Sequence, residues 1–145
     1  MNNKRRKQIN SAITSLKQIK HKIESIDDNY DELDSLEIDE KMDVSEIIEQ
    51  ISEEISTIQD DVDTYMSDEQ ESYDNLPEAL QWSEKGEMME EAINNLESAR
   101  DSIETAASDI STLCEELEDE FVSVECQDII ESIDEAIEYL ESAIE

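Results

Sequence analysis

One histidine, two cysteines and 43 carboxylates are what this chain offers for chemistry. Histidine-dependent triads and histidine-rich metal sites need partners that His21 does not have. The di-iron bundle pattern needs two Glu-x-x-His pairs, and the chain contains none. Cys114 and Cys126 are too few for a disulfide framework and fit small buried residues better than a redox pair. A calcium loop tested from Asp27 places Asn29 and Asp31 well. It then puts Leu33 and Ile38 where ligands belong and lacks the turn glycine, so a solvated loop is the better reading. No catalytic, metal or cofactor site is expected, and the chain is read as a non-enzyme.

Charge is the remaining chemistry. In "DDVDTYMSDEQESYD", residues 60 to 74, seven of fifteen residues are acidic. As a helix this gives about one negative charge per 3.2 Å of axis. Two such helices side by side would give about one per 1.6 Å, close to the roughly 1.7 Å of duplex DNA. A second dense patch is "EELEDE" at 115 to 120. Surfaces of this kind can occupy a DNA-binding channel, although a strongly acidic bundle reaches the same density without any partner.

Four stretches with alternating three-four apolar spacing must position these charges. They run through Ile9, Ala12, Leu16, Ile19, Ile23 and Ile26; then Val44, Ile48, Ile51, Ile55, Ile58, Val62 and Tyr65. The third follows Ala92, Leu96, Ala99, Ile103, Ala106, Ile110, Leu113 and Leu117, and the fourth Cys126, Ile130, Ile133, Ile137, Leu140 and Ile144. One glycine and one proline leave little turn chemistry and argue against any sheet. The fold class is therefore all-α: an antiparallel bundle or coiled coil of about four helices in a single domain, 1–145, with a dimer of swapped hairpins as the alternative.

The predicted segments are a basic helix 4–26, a loop 27–42, a helix 43–74, a corner 75–83, a helix 84–118 and a helix 125–145. Asp43 with Glu46 fits a capping box for the second helix. Pro77 and Ser83 fit a helix stop and start, with Gly86 in the first turn of the third helix at small cost. Alanines at 92, 99 and 106, echoed at 136 and 143, predict a tight hairpin of the last two helices. The Ile- and Val-rich second helix should stand further from its neighbours.

Seven of ten basic residues precede residue 26, whereas the rest carries 42 acids against three basic residues, a net of −39. Such a body repels nucleic acid and anionic membranes, and its partners are basic surfaces or its own first helix. Alone, that helix could bind nucleic acid or a membrane surface; packing into the acidic bundle is the simpler expectation. No stretch has the length of a membrane span or a signal peptide's continuous apolar run, which points to the cytoplasm.

The opening "MNNKRRKQINSAITSLKQIKHKIESI" and the segment "DEQESYDNLPEALQWSEKGEMMEEAINNLESARDSIETAASDI" resemble short acidic helical accessory proteins of Gram-positive bacteriophages and mobile elements. The core pattern is Asp-Asn-x-Pro-Glu-x-Leu-Gln-x-Ser-Glu: Asp74, Asn75, Pro77, Glu78, Leu80, Gln81, Ser83 and Glu84. Trp82 stands where a small residue would be usual, and residues 27 to 62 look inserted. The resemblance implies a phage protein acting in the host cytoplasm, with no catalytic residues. Joined to the charge pattern, it implies a non-catalytic inhibitor that binds the basic DNA-binding surface of a host defence nuclease. The candidate contacts are Asp60, Asp61, Asp63, Asp68, Glu69, Glu71, Asp74, Trp82, Glu115, Glu116, Glu118, Asp119 and Glu120. The alternative is an adaptor coiled coil, possibly a homodimer, that bridges partners through its seams or the 76 to 82 corner. A small-molecule pocket inside the bundle is a third reading.

Overall fold

A computed structural model describes residues 1–28, 38–116 and 123–144, and side chains within 1–26, 46–113 and 126–144. The helices are α1 (Asn3–Asp28), α2 (Ile38–Asp74), the single turn α3 (Glu78–Gln81), α4 (Glu84–Glu116) and α5 (Ser123–Ala143). The described residues contain no strand. None of their helices is long and apolar enough to cross a membrane.

Apolar spacing explains what each helix buries. Ile9, Leu16, Ile19, Ile48, Ile51, Ile55, Leu96, Ile103, Ile110, Ile133 and Leu140 are almost wholly removed from solvent and form one continuous core. Ile13 and Ile129 join them, each beside a seam residue, so the buried stripe is wider than a two-position seam.

Long-range ion pairs set the directions. Arg5 meets Glu69 and Lys22 meets Glu54, so α1 and α2 run antiparallel. Asp63 meets Arg100, and Tyr73 meets Glu90, so α2 and α4 do too. Lys17 meets Glu141 and Lys20 meets Asp134, which sets α5 antiparallel to α1. The order around the bundle is α1, α2, α4, α5, with each neighbour reversed. α1 and α4 face each other across the diagonal.

The alanines behave as their spacing predicts. Ala99, Ala106 and Ala136 are completely buried, and α4 with α5 share the most extensive interface. Contrary to expectation, α2 packs on α4 almost as extensively, because both are long and lie side by side over most of their length. The looser α2 interface is the one with α1.

Two boundaries are corrected. α1 continues through Asp28 and α2 starts at Ile38, so both reach into the predicted loop at 27–42. Asp43 and Glu46 therefore lie inside α2 and do not cap it; the good helix formers Glu40, Lys41 and Met42 extend the helix upstream. The central part of that loop, with most of the calcium template, lies outside the described residues, as does the side chain of Cys114. Cys126 is fully buried, as expected, and His21 is exposed.

The helices are unequal. α2 and α4, with 37 and 33 residues, are about 55 and 50 Å long, whereas α5 with 21 is about 32 Å. The α1–α5 pairings place the end of α5 near the height of Ile13 to Ser15. The first turns of α1 thus run on past it beside the end of α2 and the start of α4.

Where α4 and α5 meet, half-buried Asp109 faces Asp128. Burial first, and then the Asp128 charge, push its carboxyl above the ordinary value of 3.8. A raised folded-state pKa means that the folded chain binds the proton more tightly. The destabilising contribution is complete above the folded pKa and disappears as pH falls towards 3.8. Asp109→Asn should raise the melting temperature at pH 7 and flatten this part of its acid dependence, measured by circular dichroism melts across pH.

Candidate functional site

The acidic stretch of residues 60 to 74 forms the last four turns of α2. Asp60, Asp61, Asp68, Glu71 and Asp74 are exposed. Asp63 is exposed too, but holds Arg100 at 3.3 Å. Asp74 accepts a hydrogen bond from Gln70 at 3.0 Å, which fixes its carboxylate one turn onward.

Glu69 departs from the expectation. It is completely buried, and its Oε2 binds the Arg5 guanidinium. Arg5 also donates to Ser72 Oγ at 3.3 Å. The Met1 amino group stands 3.3 Å from Glu69 Oε1, near enough for charge but not aligned as a hydrogen bond. Glu69 therefore belongs to the α1–α2 interface and contributes nothing to an accessible acidic surface. Nothing in a count of acids distinguishes it from its neighbours. The available signal was its position seven residues after Val62, on the buried stripe of α2.

These groups border a cavity of about 250 Å³ at the corner end, lined by Met1, Asn2, Arg5, Glu69, Ser72 and Leu76 among others. Its carboxylate is already engaged by Arg5, so the cavity adds little to the small-molecule reading. Among the described residues, no group of three or more His, Cys, Asp or Glu side chains is placed to hold a metal ion.

The second half of the acidic surface comes from α4, outside the two stretches that acid density singles out. Glu87, Glu90, Glu91, Glu97, Asp101 and Glu104 are exposed along the helix next to α2. Glu90 accepts the Tyr73 hydroxyl at 2.8 Å; that hydrogen bond, aided by partial burial, holds the phenol above its ordinary pKa. Arg100 sits among Asp63, Glu97 and Asp101 as a local counter-ion.

Of the patch at 115 to 120, Glu115 and Glu116 end α4, with side chains outside the described set. Glu118, Asp119 and Glu120 lie outside the described residues entirely.

The corner at 75–83 is built tightly. After α2 ends, Pro77 (φ −54°, ψ 141°) opens the one-turn α3. Gln81 Nε2 donates to the carbonyls of Tyr73 and Leu76 at 3.3 and 3.2 Å, tying that turn to the end of α2. Ser83 caps α4 as expected, its Oγ accepting from Gly86 N at 3.5 Å and donating to the Leu80 carbonyl. Gly86 does more than its position suggested. A Cβ there would overlap the Gln81 carbonyl and lie 2.7 Å from Leu80 O. The sharp bend from α3 into α4 thus requires a residue without a side chain.

Trp82 does not cover the end of the bundle. It is 82% exposed, with Leu80 43% and Met88 52% exposed nearby in sequence; only Leu76 is half-buried.

Compared with known proteins, the chain matches no family model, no curated protein and no solved structure.

Two substitutions test these local arguments. Arg5→Leu should lower unfolding free energy by about 3 kcal/mol by stranding the Glu69 charge, and the Arg5→Leu/Glu69→Leu double variant should recover most of it. Gly86→Ala should cost about 1–3 kcal/mol through steric overlap at the bend. Urea unfolding followed by circular dichroism measures both.

Proposed function

We propose that the protein is a non-catalytic inhibitor that occupies the basic, DNA-binding surface of a host defence nuclease. The observation that carries this reading is the exposed acidic surface along α2 and α4. Six acids of residues 60–74 remain accessible over about 22 Å of helix, or about one per 3.7 Å. One DNA strand carries a charge about every 3.4 Å. The adjoining α4 supplies a second, antiparallel row, as a two-stranded mimic requires.

The bundle order also supports it. The paired cations of α1 neutralise acids on α2 and α5, whereas α4 lies diagonally opposite and keeps its charge apart from Lys85 and Arg100. The resemblance of the Asp74–Glu84 motif to phage accessory proteins supplies the setting, with a restriction or CRISPR effector nuclease as the target. Occlusion needs no chemistry: the acidic rows displace counter-ions from the enzyme's channel and compete with DNA.

An adaptor coiled coil is the second reading. The bundle buries its own seams, which leaves the exposed Trp82 corner as the contact for such a role.

The test is DNA cleavage by a panel of restriction and CRISPR effector nucleases with this protein present. One or more should be inhibited, and inhibition should weaken about tenfold or more between about 50 and 200 mM salt. Asp60→Lys, Asp61→Lys, Asp68→Lys and Glu71→Lys together should abolish it. Inhibition indifferent to both salt and charge reversal would rule out electrostatic mimicry; no inhibition of any nuclease would remove this class of target.

A further inference from the structure

The structure points to Trp82 as an apolar anchor for a basic protein partner, which we propose is a segment pairing lysine or arginine with an apolar socket. The inference rests on the acidic-surface reading and adds to it a component that salt does not screen.

Three observations converge on the corner. Trp82 is the chain's one tryptophan and is 82% exposed, although burying such a side chain is among the largest gains available to a bundle of this size. Its backbone is held in place. Gln81 ties the turn to α2, Ser83 caps α4, and Gly86 allows the two helices to meet at a sharp bend. An aromatic on such a mount loses little freedom when it is bound, the condition under which tryptophan dominates interfaces. Leu80 adds apolar surface two residues away.

The surroundings select the partner. Between residues 71 and 91 there are seven exposed acids, Glu71, Asp74, Glu78, Glu84, Glu87, Glu90 and Glu91, against Lys85. Adding Lys4, Arg6 and Lys7 from the neighbouring end of α1 leaves the acids in the majority. A second copy brings the same negative field, as does an anionic membrane, so both are disfavoured as occupants. A basic segment with an apolar residue satisfies charge and anchor together.

Trp82 emission reads the contact directly, because no other tryptophan contributes. The probes are a helical peptide with lysine on one face and leucine on the other, and an all-lysine peptide of equal length. The lysine–leucine peptide should shift Trp82 emission to shorter wavelength and keep measurable affinity at about 200 mM salt. Trp82→Ala should weaken that peptide about tenfold or more and leave the all-lysine peptide unchanged. This exposed substitution should leave the fold intact, checked by its melting curve.

Equal affinity of Trp82→Ala for the lysine–leucine peptide, or an unshifted emission, overturns the anchor while leaving the electrostatic reading standing. Failure of both peptides to bind at low salt overturns the two together. A shift that follows protein concentration alone, or that occurs with phosphatidylcholine vesicles and not with peptide, assigns the corner to self-association or to a membrane and overturns the proposal.

Discussion

Self-repulsion is the constraint on which the rest of the molecule depends. Beyond α1 the chain carries 40 acids against three basic residues, and four helices must still come within packing distance. Each exposed ion pair stabilises the fold by about 1 kcal/mol at most. Their distribution nevertheless matters, because α1 binds acids on both of its neighbours and lowers repulsion where the core closes. Among the described residues, Glu69 with Arg5 and the Met1 amino group is the cluster taken out of solvent. Its role is better seen as fixing how α1 lies on α2 than as adding net stability.

The same arrangement divides the molecule into two sides. Because α1 sits between α2 and α5, its paired lysines serve those two helices, and only its first turns come near the start of α4. The acids of α4 and the adjoining flank of α2 therefore remain as a continuous field, apart from the local effects of Lys85 and Arg100. The apolar pattern selects the bundle, the bundle selects the diagonal, and the diagonal decides which surface stays negative. The proposed function lies at the end of that sequence of causes.

Much of the fold was legible because one rule dominates it: every described seam residue of α1, α2, α4 and α5 is buried or half-buried. The alanine spacing also foretold the close α4–α5 hairpin. The start of α2 was misjudged because Asp43 and Glu46 form a plausible cap, while the propensity of the preceding residues carried the helix past it. The site was less legible. Acid density does not separate the buried Glu69 from the exposed Asp68; only the heptad step from Val62 does, and it places Glu69 facing α1. Gly86 looked incidental because the carbonyl that excludes a side chain there belongs to a separate turn. The exposure of Trp82 follows from the angle of that bend, which local sequence rules do not supply.

Antiparallel order around the ring has a consequence for how the chain reaches this state during synthesis. α1 emerges first, yet one of its two flanking helices is the last to appear, and the Lys17–Glu141 pair closes a separation of 124 residues. α2 and α4 are joined by a short corner and can associate early. Docking of α5 against α1 must wait for nearly the whole chain and bears the largest loop-closure entropy. Until then the lysines of α1 that meet Glu141 and Asp134 lack their α5 partners, and one flank of its apolar stripe stays open. The fold thus closes on its basic helix last, when the acids already in place far outnumber the cations.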